Sequence, residues 1–141
     1  MKELNIATNR KTFKVNGAAE ITFDPTDINF VNDMFDLFKK FEDIQSQPAP
    51  DDLMEVFNCA RARDTQLRKE IDSLFGDGIC ESIFGRTNLL SPCEGQPICL
   101  HFFMAIIDEI DAAAETAFVQ SPAMAAHIKK YETKYGKYMK K

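Results

Sequence analysis

Four side chains in the second half of the chain are of types that bind metal: Cys80, Cys93, Cys99 and His101. Thiolate and imidazole are ligands that a structural zinc accepts in tetrahedral sets. Zinc modules bring their ligands in close pairs on tight turns, and only Cys99 and His101 stand close here. Cys99 also falls on the apolar face of a stretch with helical periodicity, where a thiol serves to fill volume. The four cysteines, Cys59 included, form no Cys-x-x-Cys and are spaced irregularly, which fits reduced, packed thiols better than a disulfide framework. The expectation is therefore no metal and no cofactor. The set Cys80, Cys93, Cys99 and His101 stays as an alternative that would make this a small zinc-bound regulatory or catalytic protein.

Carboxylate chemistry is the second candidate. Asp108-Glu109-Ile110-Asp111 offers adjacent acids on a helical stretch. Di-metal bundles need inward Glu residues and Glu-x-x-His pairs from several helices, and no Glu-x-x-His occurs. These acids lie opposite the apolar stripe and read as a solvated face. Nucleophilic catalysis would need a Ser or Cys beside a base with a third, orienting group. The two histidines offer no such setting: His101 stands among Leu100, Phe102 and Phe103, and His127 follows a run of alanines. No glycine-rich phosphate loop is present either. The expectation is a protein that is not an enzyme.

What the chain has in surplus is phenylalanine. Five of its twelve lie between Phe23 and Phe41. The segment Phe23-Asp24-Pro25-Thr26-Asp27-Ile28, running on to Gln47, predicts a helix. Asp24 is expected to cap it, Pro25 to supply the first helical φ and Asp27 to favour the positive end of the dipole. Ile28, Val31, Phe35 and Phe38 follow at spacings of three and four, with Met34 and Phe41 beside them. So much aromatic surface on one element needs a large partner surface, in this chain or another.

At 141 residues the chain is expected to be a single domain with enough length for a real core. Residues 1–23 alternate at Leu4 and Ile6, at Phe13 and Val15, and at Ile21 and Phe23, with turn signals at Thr8–Lys11 and Asn16-Gly17. They predict a small antiparallel β-hairpin or three-stranded meander. Residues 24–128 predict a helical body. After the Pro48–Pro50 break, Asp51 and Asp52 open a second helix with Leu53, Met54, Val56, Phe57, Ala60, Leu67, Ile71, Leu74 and Phe75 as apolar members; Arg61 to Glu70 reads as solvated, and Gly76 closes it. A short helical turn over Ile79 to Phe84 and an irregular loop from Gly85 to Pro97 come next. A central helix spans about Gln96 to Val119, with Cys99, Phe103, Ile106, Ile107, Ile110, Ala114, Ala117 and Phe118 on its apolar face. Ser121-Pro122 caps a last helix. The fold class expected is mainly α, with four or so packed helices and the N-terminal β element, an α+β arrangement.

Residues 129–141 form a basic tail. Six lysines against Glu132 alone give it +5, so residues 1–128 carry −10 and the whole chain −5. An acidic body repels nucleic acid, and none is expected as a partner. Tyr131, Tyr135 and Tyr138 share one stripe at i, i+4 and i+7. The simpler reading docks them on the protein's own core while the lysines favour the helix's negative end. The alternative offers them to another protein, and then Tyr131, Tyr135 and Tyr138, with Phe30 and Phe41 of the first helix, are the expected partner-binding residues. Gly136 weakens a helix here by about 1 kcal/mol relative to alanine. No apolar run is long enough to cross a bilayer, and Met1-Lys2-Glu3-Leu4-Asn5 leads into polar sequence with no apolar signal region, so a cytoplasmic protein is expected.

The succession Phe13-Lys14-Val15-Asn16-Gly17, Ile21-Thr22-Phe23-Asp24-Pro25-Thr26-Asp27 and then the Phe-rich helix resembles small tail assembly chaperones of long-tailed phages and prophages of Gram-positive bacteria. Ile71-Asp72-Ser73-Leu74-Phe75-Gly76-Asp77-Gly78 with Ile83-Phe84-Gly85 is similar to the same group. The resemblance implies a non-enzymatic protein of the bacterial host cytoplasm that coats the tape measure protein, helps bring tail tube subunits to it and is left out of the finished virion. A homo-oligomer is a further expectation. A structural virion component, such as a tail or head-completion protein, is the alternative, because the same aromatic surfaces would serve permanent contacts.

Overall fold

The computed structural model describes residues 1–117 together with Ala126, Lys129 and Lys130. Strands β1 (Lys11–Val15) and β2 (Ala19–Phe23) pair antiparallel, with Phe13 opposite Ile21 and Thr12 opposite Thr22. Asn16 and Gly17 both take positive φ, 52° and 74°, the left-handed pair that a tight hairpin turn requires. Ala19, Ile21 and Phe23 are buried while Glu20 and Thr22 face water, so the alternation reports the buried face directly. Leu4 and Ile6 alternate too, yet they form no strand and stand 78% and 82% exposed. A strand needs a paired edge and a face to bury, and two apolar residues find neither. The element is a hairpin, not a meander.

Helix α1 runs Ile28–Ser46 and starts on Asp27, whose side chain accepts the Asn29 N–H at 3.0 Å. Asp24 does not cap it. Its carboxylate is taken by a local turn, accepting from the Thr26 N–H at 2.8 Å and the Thr26 hydroxyl at 2.6 Å. Pro25 is buried ahead of the helix, and Ile28, the first helical residue, is 54% exposed. From Phe30 onward the stripe is buried through Val31, Met34, Phe35, Leu37, Phe38, Phe41 and Ile44.

Helix α2 (Leu53–Phe75) is capped by Asp52, which accepts the Glu55 N–H at 3.3 Å, and closed at Gly76, whose N–H donates to Asp72 O. Lys40 meets Glu70 at 3.0 Å and Arg63 meets Gln47 at 3.2 Å, so α1 and α2 lie antiparallel. Arg63 is ten residues into α2 when it draws level with the end of α1. The first turns of α2 therefore overhang α1 by about 15 Å at 1.5 Å per residue. Of the apolar residues expected on α2, only Leu67 and Ile71 are buried; Leu74 and Phe75 are half-buried.

The charged middle of α2 is not simply solvated. Asp64 and Arg68 pair at 3.1 Å with side chains 17% and 20% exposed. Asp64 also accepts the Leu89 N–H at 2.8 Å, and Arg68 donates to the Thr87 carbonyl at 2.7 Å. They hold the segment after α3 (Ile79–Phe84) against the body. That segment was expected to be irregular, but it closes into a minimal hairpin, β3 (Pro92–Cys93) with β4 (Gln96–Pro97), around Glu94 and Gly95 at positive φ.

Helix α4 (Ile98–Ala117) follows at once and buries Cys99, Leu100, Phe102, Phe103, Ile106, Ile107, Ile110 and Ala114. An aromatic contact chain ties the elements together. Phe13 stacks on Phe23 at 4.7 Å and Phe23 on Phe30 at 4.8 Å; Phe75 meets Phe30 edge-on at 5.7 Å and Phe102 at 5.2 Å. The four described helices and the N-terminal hairpin make a mainly α, α+β fold. The last helix expected after Ser121-Pro122 lies outside the described residues, apart from Ala126, Lys129 and Lys130, which are helical and exposed.

Candidate functional site

The four residues proposed as a zinc set are not gathered. Among the described residues no group of three or more His, Cys, Asp and Glu could hold a metal ion. Cys80 and Cys99 are buried at the helix interfaces, whereas Cys93 and His101 are exposed. Burial pushes the Cys80 thiol up to about 12, with the Asp72 carboxylate adding to it; burial alone accounts for most of the rise of Cys99 to about 12. These are neutral thiols in apolar surroundings, and their place is in the packing. His101 Nε2 lies 2.7 Å from the Cys93 carbonyl oxygen, so that nitrogen carries the proton and pins β3 to α4.

Phe30 and Phe41, expected at a partner surface, are only 8% and 1% exposed. Phe41 packs edge-on to Phe38 and Phe103, and Phe30 lies between Phe23 and Phe75. The folded chain does not present them, because the hairpin and α4 supply the surface their stripe needed. Tyr131, Tyr135 and Tyr138 lie outside the described residues.

Among the described residues, one open apolar surface is a groove of about 490 Å³ between the hairpin, α3 and α4. Its walls carry Phe13, Val15 and Ile21 from the hairpin, Ile83 and Phe84 from α3, and Ile98, Phe102, Ala105 and Ile106 from α4. His101, Lys14 and Glu109 supply polar groups at its edges. A second hollow of about 380 Å³ shares Glu109 and continues along α4 past Ala112, Ala113, Thr116 and Ala117, with Lys11, Pro25 and Thr26 opposite. The two hollows follow one another along α4 between His101 and Ala117, a length of about 24 Å at 1.5 Å per residue, and the second has the more polar lining. Beside it Asp108, Glu109 and Asp111 cluster, and partial desolvation, followed by the charges of Asp111 and Glu109, raises the Asp108 carboxyl above its ordinary range.

Another open apolar surface is the overhang of α2, where Leu53, Met54 and Phe57 stand 63%, 63% and 57% exposed. Leu67 and Ile71 follow Leu53 and Phe57 by fourteen residues, close to four helical turns. One apolar stripe therefore runs the length of α2, and its first part has outrun α1. Leu53, Met54 and Phe57 were expected as apolar members of α2, and periodicity reveals such a stripe but not where its cover ends. The groove gave no local signal at all, being assembled from Phe13, Phe84 and Phe102 on three elements.

A helix lying in a groove with aromatic walls buries its own apolar stripe, and small residues such as Ala105, Ala112 and Ala113 allow its backbone to come close. No described helix is long and apolar enough to cross a membrane. No model of a known protein family, no curated protein and no solved structure matches the chain significantly.

Proposed function

We propose that this protein is a non-enzymatic assembly chaperone of phage or prophage tails, working in the host cytoplasm, that holds amphipathic helical segments of the tape measure protein and assists tail tube assembly. The observation that carries the reading is the open groove between the hairpin, α3 and α4, whose walls are Phe13, Phe84, Phe102, Ile83 and Ile98, with Lys14, His101 and Glu109 at its edges. A client helix with an apolar stripe fits that chemistry. The resemblance of residues 13–27 and 71–85 to small tail assembly chaperones supplies the identity of the client. The uncovered stripe at Leu53, Met54 and Phe57 adds a second apolar contact of the kind that a helper of aggregation-prone chains uses.

Co-expression with the tape measure protein tests this. The client's soluble fraction is expected to rise severalfold when this protein is present, with a complex that survives size-exclusion chromatography. A client that stays equally insoluble with and without it overturns the reading. Mass spectrometry of finished particles separates the virion-component alternative: a chaperone is absent, and a stoichiometric amount in the particle replaces the proposal with that alternative.

A further inference from the structure

Strand β1 belongs to a two-stranded sheet, and among the described residues no strand pairs with its outer edge. Phe13 and Val15 of β1 face Phe102, Ala105 and Ile106 of α4 across the groove. An unpaired edge beside an open apolar groove is a template for a further strand. We infer that a second copy of this chain supplies it. Residues 4–8 of one copy add to β1 of the other, and the exchange is reciprocal, giving a two-fold dimer. The inference goes beyond the chaperone reading and involves no client.

The exchanged segment is the first argument. Leu4 and Ile6 stand exposed within residues 1–10, which form neither helix nor strand, and they keep the spacing of two that puts side chains on one face of a strand. The outer edge of their own β1 is not open to them. Asn9 Nδ2 donates to the Thr26 hydroxyl oxygen at 3.1 Å, which holds the chain in line with β1 and beside the residues that follow β2. Folding back onto the outer edge needs a tight reversal at residues 7–10. The non-glycine residues with positive φ, among those described, are Asn16 and Glu94, so no such turn is built there. A second copy meets no such constraint.

Charge sets the direction of pairing. An antiparallel register with Leu4 opposite Val15 and Ile6 opposite Phe13 places both new side chains on the groove face. Asn5 then lies opposite Lys14, and Glu3 reaches Lys14 on the diagonal. Lys14 already has Glu20 opposite it on β2. The polar face therefore becomes a row of Glu20, Lys14 and Glu3 across three strands. The parallel register that sets Leu4 opposite Phe13 places Lys2 against Lys11, like charge on like. Two added strands of five residues, each about 16 Å long, bury a small area, so the dimer is a weak one.

Sedimentation velocity of the full chain over a range of concentrations tests this against the variant Leu4→Ser/Ile6→Ser. The native chain is expected to dimerise, and the variant to need about tenfold more protein or higher for the same dimer fraction. Its urea midpoint should be unchanged, because both side chains are exposed in the single chain. A native chain that stays monomeric up to about 1 mM overturns the inference, and so does a dimer that the variant leaves intact. A zero-length carboxyl–amine cross-linker, applied to a mixture of isotope-labelled and unlabelled chains, is the second readout. Glu3–Lys14 links are expected between one labelled and one unlabelled peptide. Links found only within single chains put the segment on its own β1 and overturn the exchange. Because no client enters either measurement, failure here leaves the co-expression result to decide the chaperone reading by itself.

Discussion

Asp64 and Leu89 are twenty-five residues apart in sequence, and the carboxylate of the first accepts the backbone N–H of the second at 2.8 Å. The Leu89 carbonyl in turn accepts the Cys99 N–H at 3.0 Å, so a side chain with no exposure is fixed at both of its backbone groups. Arg68 completes the clamp through Asp64 and Thr87. The contact sets where the segment after α3 lies, and with it the entry to α4.

Asp64→Ala removes the acceptor of a buried N–H and the partner of a half-buried guanidinium. The expected loss is about 2 kcal/mol, the cost of leaving such a donor unsatisfied. Urea unfolding checks it: the midpoint should fall with an unchanged slope. An unchanged midpoint would show that the Leu89 N–H finds water and that the clamp is ornamental.

Phe41 and Phe57 form a contrast on neighbouring helices. Phe41→Ala empties a site between Phe38 and Phe103 and should cost about 3–5 kcal/mol. Phe57→Gln, at 57% exposure on the overhang, should shift stability by no more than about 0.5 kcal/mol while lowering the binding of a hydrophobic dye. Equal destabilisation by the two would mean that the overhang is covered in solution.

The stripe Val31, Phe35, Phe38 was legible because helix periodicity repeats over five turns and no competing element disturbs it. The start of that helix was not. Asp24 and Asp27 are equivalent as capping residues, and only Thr26, which engages the Asp24 carboxylate, decides between them. In the same way Asp64 and Arg68 read as solvated i, i+4 charges, since a sequence does not reveal that a loop will come to meet them. The groove is the extreme case. Phe13, Phe84 and Phe102 carry no shared pattern, and only the antiparallel hairpin and the turn at Gly76–Gly78 bring them to one place.

The two buried thiols make stability depend on alkali. Cys80 and Cys99 are pushed from 9.0 up to about 12 in the folded chain. An unfolded thiol loses its proton near 9, whereas the folded one holds it until about 12. Their stabilising contribution is therefore whole below pH 9 and is lost as pH rises from 9 towards 12. The upper bound is about 1.4 kcal/mol per pH unit for each thiol. The gap in urea midpoint between the native chain and Cys80→Ala/Cys99→Ala should be widest at pH 8 and narrow steadily to pH 11. A gap that does not narrow would place the folded thiols near their ordinary value. At pH 8 a thiol reagent should label exposed Cys93 first and reach Cys80 and Cys99 only on unfolding.

Ala105 tests the groove without touching the core. It is exposed on α4, one turn from His101 and one from Glu109, and its methyl group forms part of the groove wall. Arginine has nearly the helix propensity of alanine, so Ala105→Arg should leave the unfolding free energy within about 0.5 kcal/mol of the native chain. Its long, charged side chain would nevertheless lie across the space where a docked helix needs close backbone approach. The client's gain in solubility on co-expression should then fall to the level seen without this protein. Ala105→Ser, nearly the same size, should keep that gain. If the arginine variant is folded and still rescues the client, the tape measure helix does not bind along α4, and the exposed stripe at Leu53, Met54 and Phe57 becomes the surface to mutate next.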